Sequence, residues 1–157
     1  MLYFPDMKEK VYAYIVKDNR LLVFRHTRFP EAGLQVPGGT VEEGERLEEA
    51  VLREAAEESG LVGLKLVAFL GSQDYDLGAL GQGEGTLCKH FFHLKLDGEA
   101  PETWLNYEWH PSDGSPAPIE FEFFWAPLNP MPELAGDQGR WLDHLPSHFF
   151  LMKLKDT

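Results

Sequence analysis

Three glutamates near the middle of the chain have the spacing that a metal centre requires. Glu54, Glu57 and Glu58 stand at positions i, i+3 and i+4, which places their side chains on one face of an α-helix. An apolar stripe adjoins that face, so the carboxylates should be partly withdrawn from water, which raises their pKa unless a cation is close. Because hard divalent cations prefer oxygen ligands, the cluster favours Mg²⁺, with Mn²⁺ as an alternative. A solvated acidic face is the other interpretation of the same three residues.

The residues that flank these glutamates form a longer motif. It begins with Gly39-Thr-Val-Glu-Glu-Gly-Glu45, continues through seven further residues, and ends with the run from Arg53 to Leu61. All seven fixed positions of the Nudix box, G-x5-E-x7-R-E-U-x-E-E-x-G-U with U aliphatic, are matched. A chance match of this kind is expected about once in a million chains, at roughly one residue in fifteen per position. The sequence therefore resembles the Nudix hydrolase family over Gly39–Leu61.

The resemblance implies a role for each matched position. Glu54, Glu57 and Glu58 correspond to the metal-binding carboxylates, and the backbone carbonyl of Gly39 corresponds to a further metal ligand. Arg53 is similar to the arginine that orients the glutamates of the box. For the general base, which varies within the family, Glu54 and Glu57 are the first candidates.

Two more matched positions frame the helix. Glu45 resembles the first glutamate of the box, which supports the junction between loop and helix or stands behind the metal ligands. Gly60 is expected to end the helix, since glycine readily adopts the left-handed conformation of a C-terminal stop.

The reaction implied by the resemblance is hydrolysis of a phosphoanhydride bond in a small nucleotide or nucleoside diphosphate derivative. Water attacks one phosphorus and the other phosphate leaves, with divalent cations neutralising the oxygens. The motifs that sort Nudix enzymes by substrate are mostly missing, so the particular nucleotide is not predicted. A non-catalytic nucleotide-binding sensor on the same fold is the alternative from another class, and an isomerase on that fold is a third.

The elements that must position these residues follow from hydrophobic patterning and turn residues. A helix is predicted over Arg46–Ser59, because that run contains neither Gly nor Pro. A short extended piece is predicted at Leu34–Val36, and the turn Asp18-Asn19 predicts a hairpin between the first two strands. Strands are predicted at Val11–Lys17, Arg20–His26, Leu64–Leu70, Thr86–Leu96, Thr103–Trp109 and Ile119–Trp125. Short helices are predicted at Gly139–Leu145 and His148–Lys155. The fold class is α/β, and the family resemblance specifies an α/β/α sandwich with a mixed β-sheet.

Composition limits the partners and the compartment. The chain of 157 residues carries 14 Lys and Arg against 26 Asp and Glu, a net charge of −12, which argues against long nucleic acid and against an anionic membrane surface. We expect one domain over residues 1–157, without a signal peptide or membrane span. The single cysteine, Cys88, suits a reducing compartment, so a cytoplasmic location is expected. A homodimer is compatible with the sequence.

Several residues outside the motif are open candidates for the same site. A further carboxylate could come from Glu102, Glu108, Glu120 or Glu122, although an exposed polar face is at least as good an interpretation. Cations for phosphate could come from Arg25, His26, Arg28 or Lys89. The aromatic residues of Trp104–Trp109 could stack on a base, but core packing is the commoner role for such residues.

Overall fold

The computed structural model describes residues 7–111 and 114–150, which contain seven β-strands and one α-helix. The strands are β1 (Met7–Lys17), β2 (Arg20–His26), β3 (Gly38–Thr40), β4 (Leu64–Asp76), β5 (Thr86–Leu96), β6 (Thr103–Glu108) and β7 (Ile119–Pro127). The helix α1 spans Leu47–Ser59, and 3₁₀ helices occupy Pro30–Ala32, Leu142–His144 and Ser147–Phe149. Among the described residues, no helix has both the length and the apolar character that crossing a membrane demands.

The strands form one mixed sheet in the order β4-β5-β1-β2-β7-β6, with β3 attached to β1. Strands β1 and β5 run parallel, and every other pairing is antiparallel. The predicted α/β class with a mixed sheet is confirmed. The hairpin predicted between β1 and β2 is present, and β6 and β7 also pair with each other in antiparallel fashion. Asp18 and Asn19 take positive φ angles of 52° and 58°, the conformation that a two-residue hairpin turn needs.

On the side away from β5, strand β1 changes its partner from β2 to β3 along its length, and this change creates the space for the site. It pairs with β2 only beside the turn, at Val16–Leu21 and Lys17–Arg20. Further from the turn, the chain leading into β3 lies between the two strands: the Ala13 amide donates to the Pro37 carbonyl, and Phe24 exchanges two backbone hydrogen bonds with Gln35. The extended piece predicted at Leu34–Val36 is thus present as isolated bridges, and it leads into the short strand β3, which was not predicted.

The helix agrees with the prediction to within one residue. Its N-terminus is capped by Glu49, whose carboxylate accepts a hydrogen bond of 3.2 Å from the Arg46 amide. Its C-terminus ends at Gly60, which has φ +78° and donates its N–H to the Ala56 carbonyl at 2.8 Å. Ala50 and Val51 are fully buried against the sheet, so this face of α1 is fixed, and Glu54 and Glu58 lie beside it, next to β3.

Both faces of the sheet are covered. One core cluster lies between the sheet and α1, and a second lies on the other face, where Leu142 and Leu145 are buried with Tyr14. In the described part of the chain this second layer is built from 3₁₀ helices. The helix predicted at Gly139–Leu145 is present only as the 3₁₀ turn Leu142–His144. The helix predicted at His148–Lys155 starts as a 3₁₀ turn, and its remainder lies outside the described residues.

Strand β4 continues well past its predicted end at Leu70. Its second half is polar, and it pairs with β5 as far as Asp76 and Thr86, with two register shifts on the way. β4 is an edge strand, and most of its side chains are exposed to solvent. Hydrophobic patterning therefore does not mark its full length.

Candidate active site

Strand β3 and helix α1 bring the two halves of the motif together. The Gly38 amide donates a hydrogen bond of 3.3 Å to Oε1 of Glu58, which joins the last glutamate of the motif to the strand that carries its first glycine. Beside it, the Glu54 carboxylate lies directly against the backbone of Gly39. Gly39, Glu54 and Glu58 are therefore brought together, as the sequence predicted.

The close approach at Gly39 explains why that position must lack a side chain. A Cβ placed on Gly39 would lie 2.1 Å from Oε2 of Glu54 and 2.2 Å from its Cδ. Both distances are far inside van der Waals contact, so any larger residue would have to displace the carboxylate. This glycine thus makes room for a carboxylate, which is a reason for it that the sequence argument did not supply.

Arg53 holds the acidic side chains in place. Its guanidinium makes a two-point contact with Glu45, with Nε–Oε2 at 2.7 Å and Nη2–Oε1 at 2.9 Å. The same group donates to Glu54 at 2.8 Å, to Glu57 at 3.2 Å and to the Thr40 carbonyl at 3.1 Å. Hydrogen bonding from Arg53 lowers the pKa of Glu45 to about 2. Arg53 and Glu45 therefore act as a clamp between the loop and the helix, in agreement with the orienting role that the resemblance implies.

The remaining glutamates carry charge that is only partly compensated. Burial raises the pKa of Glu58 to about 8, and the nearby carboxylates of Glu108 and Glu54 add to the rise. Burial also raises the pKa of Glu54, although its hydrogen bond with Arg53 opposes the shift. Such shifts mark a place where a cation would be stabilising.

The donor chemistry fits a hard divalent cation, with one rearrangement. Carboxylates of Glu54, Glu57 and Glu58 and the carbonyl of Gly39 are all oxygen ligands of the kind that Mg²⁺ and Mn²⁺ prefer. Within the described residues, however, no three acidic, histidine or cysteine side chains are grouped closely enough to hold an ion as they stand. Arg53 holds Glu54 and Glu57, so a bound cation would have to draw at least one of them away. The Glu57 side chain is 62% exposed and is free to turn.

Two cavities meet at this acidic face. The larger, of about 330 Å³, is lined by Glu54 and Glu57 on one side and by Tyr107, Trp109 and His110 on the other. The smaller, of about 180 Å³, lies beyond it and includes Gly38, Gly39 and residues of β1. Three residues line both cavities and therefore mark their junction: Glu58, Glu108 and Phe121.

The candidate carboxylates outside the motif separate into two groups. Glu108 lines both cavities and lies on the site. Glu102 and Glu122 form ion pairs with arginines, at 2.9 Å from Arg20 and 3.0 Å from Arg25. Glu120 accepts a hydrogen bond of 2.7 Å from the Thr27 hydroxyl, and hydrogen bonds from Thr27 and Tyr107 lower its pKa.

The candidate cations do not line either cavity. Arg25 is paired with Glu122 and lies over the Phe124 ring, while Lys89 is paired with Asp137 at 3.0 Å. His26 packs edge-on against Phe29 and Phe121, and its Nδ1 accepts a hydrogen bond from the Arg28 amide. Sequence reasoning missed the cationic residue that does line the smaller cavity, Lys10. No local signal marks it, because its place depends on β1 pairing with β3.

The aromatic segment contributes both to the core and to the site. Trp104 stacks on Phe123 with the rings 5.4 Å apart and donates from its indole N–H to the Ser59 carbonyl at 2.8 Å, so it is a packing residue. Tyr107 and Trp109 line the larger cavity instead, with exposures of 41% and 62%.

Replacing Gly39 by alanine is expected to lower catalytic turnover at least about tenfold with little change in fold, because the new Cβ would push the Glu54 carboxylate out of its place. Far-UV circular dichroism and initial rates check this. Gly78→Ala is the matched control, since its nearest neighbour would be the end of the flexible Asp76 side chain at 3.3 Å. Equal activity of both variants would contradict the prediction.

Comparisons with known proteins agree with the family resemblance of the sequence motif. A family model described as NUDIX domain matches residues 7–145. The chain is 42% identical over 59 residues to an NAD-capped RNA hydrolase, NudC, of Shigella flexneri, which is 38% of this chain and 23% of that protein. It is 49% identical over 49 residues to an ADP-ribose pyrophosphatase of Methanocaldococcus jannaschii, which is 31% of this chain and 29% of that protein. The matches thus cover less than a third of either relative.

A solved structure extends the likeness over most of the fold. A MutT NUDIX hydrolase from Burkholderia pseudomallei superimposes with a TM-score of 0.60 at 24% identity, over 89% of this chain and 98% of that one. At this identity the likeness concerns the fold, and it agrees with the mixed sheet and single α-helix described above.

Proposed function

The chain belongs to the Nudix family, and on that premise we propose that it is a pyrophosphohydrolase that needs Mg²⁺ or Mn²⁺ and acts on a small nucleoside diphosphate derivative or nucleotide. The observation that carries the proposal is the grouping of Glu54 and Glu58 around Gly38 and Gly39, at the junction of two cavities. The names of the two matched relatives, a hydrolase and a pyrophosphatase, support the same reaction class.

The residues of the motif have separate proposed roles. Glu54, Glu57, Glu58 and the Gly39 carbonyl would hold the cation, which when bound neutralises phosphate oxygens and lowers the pKa of water. Arg53 donates hydrogen bonds to both Glu54 and Glu57, and it would keep one of them in position if the other turned toward the cation. Glu54 or Glu57 accepts the proton of the attacking water.

The shape of the site also supports a small substrate. The two cavities together are of the size that binds one small molecule, and the net charge of −12 opposes a long polyanion. We propose a cytoplasmic location on the ground that Cys88 has no partner for a disulfide within the chain.

The test is product release from a panel of nucleoside triphosphates, nucleotide sugars, ADP-ribose, dinucleoside polyphosphates and coenzyme A. Each substrate is assayed with Mg²⁺, with Mn²⁺ and with EDTA. We expect turnover of at least one class with either metal and none with EDTA. A nucleotide that raises the melting temperature while no substrate is cleaved would contradict the proposal and indicate the non-catalytic sensor instead.

A further inference from the structure

The smaller cavity contains polar groups that the proposed mechanism does not use. It lies on the far side of Glu58 from the Tyr107–Trp109 wall and is lined by Lys10 and Tyr12 of β1 together with Gln35 and Gln138. None of these four residues belongs to the Nudix motif. What they can recognise is decided by which of them can donate hydrogen bonds and which can accept them.

The orientation of the Gln138 amide is set by a backbone group. The Val36 N–H donates to Oε1 of Gln138 at 2.8 Å, and only the oxygen of an amide can accept such a bond. The carbonyl end of Gln138 is therefore occupied. Its NH₂ group, which is a donor only, has no hydrogen-bond partner among the residues that the structure describes, and is left for a ligand.

Lys10 adds a second donor to the same cavity. It is half-buried, and no described carboxylate lies within ion-pair distance of its ammonium group. By contrast, Lys89, its neighbour on β5, is paired with Asp137 at 3.0 Å. A half-buried ammonium group has three N–H donors and no acceptor, so it too would bind a hydrogen-bond acceptor of the ligand, either an oxygen or an unprotonated nitrogen.

The remaining walls suit a flat group. The Tyr12 ring packs against Gly38 so closely that a Cβ on this glycine would lie 2.8 Å from the ring, and Tyr12 stacks on Phe91 with centroids 5.0 Å apart. Phe24 and the buried Val36 also line the cavity. Two donors in a cavity that also has aromatic and aliphatic walls match the keto edge of a heterocyclic base.

We propose that this cavity binds the base of the substrate and selects bases with a keto oxygen, such as uracil, hypoxanthine or guanine, over bases with an amino group at the same place. An amino group on adenine or cytosine would point its N–H bonds at the Gln138 NH₂ and the Lys10 ammonium, which would leave donors facing donors. The inference rests on the proposed function for the identity of the substrate, and adds its base to it.

The experiment compares bases that differ at one position. Isothermal titration calorimetry with Mg²⁺ measures the Kd of the α,β-methylene diphosphates of uridine and cytidine, and of inosine and adenosine, which lack the anhydride oxygen and are not cleaved. We expect the keto member of each pair to bind on the order of tenfold more tightly. Gln138→Glu keeps the acceptor for the Val36 N–H and replaces the free donor by an acceptor, so it should reverse or abolish the preference.

Lys10→Met should weaken binding of the keto bases more than of the amino bases. Lys8→Met is its control, because Lys8 is exposed and lies two residues earlier on the same face of β1, and it should leave every Kd unchanged. The inference would be overturned by equal affinity within each pair of analogues or by no binding of any analogue. It would also be overturned if Gln138→Glu and Lys10→Met each weakened the binding of all bases equally. An equal loss would assign Lys10 and Gln138 to the phosphates.

The two proposals fail in different ways. Cleavage of nucleotides without any preference among bases would overturn the base selection and leave the hydrolase standing. A clear keto preference in binding, with no cleavage of any substrate in the panel, would overturn the hydrolase alone.

Discussion

Replacing Glu58 by glutamine is expected to lower metal-dependent turnover at least about a hundredfold, because an amide is a poor ligand for a hard cation and brings no negative charge. Glu58 lies at the junction of the two cavities and is fixed by the Gly38 amide at 3.3 Å. Glutamine keeps an oxygen to accept that bond, so the fold should be retained. Glu57→Gln is expected to lower activity as well. Its main effect should be a weaker apparent affinity for metal, because Glu57 is exposed and must turn toward the cation.

Steady-state rates measured across a Mg²⁺ titration check this prediction. The substrate is the member of the nucleotide panel that the wild-type protein cleaves. Glu48→Gln is the matched control: Glu48 lies on the same helix, its one ion pair among the described residues is with Arg46 at 3.6 Å, and it lines neither cavity. Full activity of Glu57→Gln or Glu58→Gln would remove that glutamate from the site. A loss that is equal in all three variants would point to a general charge effect.

The helix and the Nudix motif could be predicted from the sequence because their signals are local. Gly60 ends α1 through a φ angle of +78°, which glycine adopts at little cost. The spacing of Glu54, Glu57 and Glu58 follows from the helical repeat alone. Likewise the Asp18-Asn19 turn fixes the first hairpin through its own backbone angles.

The cavities could not be predicted, because they depend on residues distant in the chain. The smaller one combines Lys10 with Gln138, and the two meet only because β1 exchanges β2 for β3 and the segment after β7 returns to Val36. Strand β3 itself has three residues and begins at a glycine pair, which as a local pattern indicates a turn. Nothing in its sequence reveals that Tyr12 and Glu54 require those glycines.

Arg53 shows how the same residues serve both stability and chemistry. Its guanidinium is shared between Glu45, which belongs to the loop, and Glu54 and Glu57, which belong to the helix. In the absence of a cation, these contacts hold the helix face against the loop. Arg53 forms ion pairs with Glu42, Glu45, Glu54 and Glu57 but not with Glu58. Among the described residues, Glu58 is therefore the glutamate of this cluster that has no cationic side chain as a partner.

That imbalance leads to an expected gain of stability from the same Glu58→Gln substitution when metal is absent. The pKa of Glu58 is raised from 4.5 to about 8 by burial and by Glu108 and Glu54, so the folded protein binds the proton more tightly than the unfolded chain does. Stability of the metal-free protein should therefore fall as the pH rises from about 4.5 to about 8, where the carboxylate ionises. Glutamine does not ionise, so the variant avoids this loss.

The gain should be small near pH 5 and level off above pH 8, at roughly 5 kcal/mol in the free energy of unfolding. Urea unfolding in EDTA at pH 5, 7 and 9 measures it, with Glu48→Gln as the variant that should follow the wild type throughout. Saturating Mg²⁺ should shrink this gain, because a cation that binds only the folded wild type stabilises it by mass action. Parallel pH profiles for wild type and Glu58→Gln in EDTA would show that Glu58 carries no uncompensated charge. A gain of the same size in Mg²⁺ as in EDTA would show that no cation binds there.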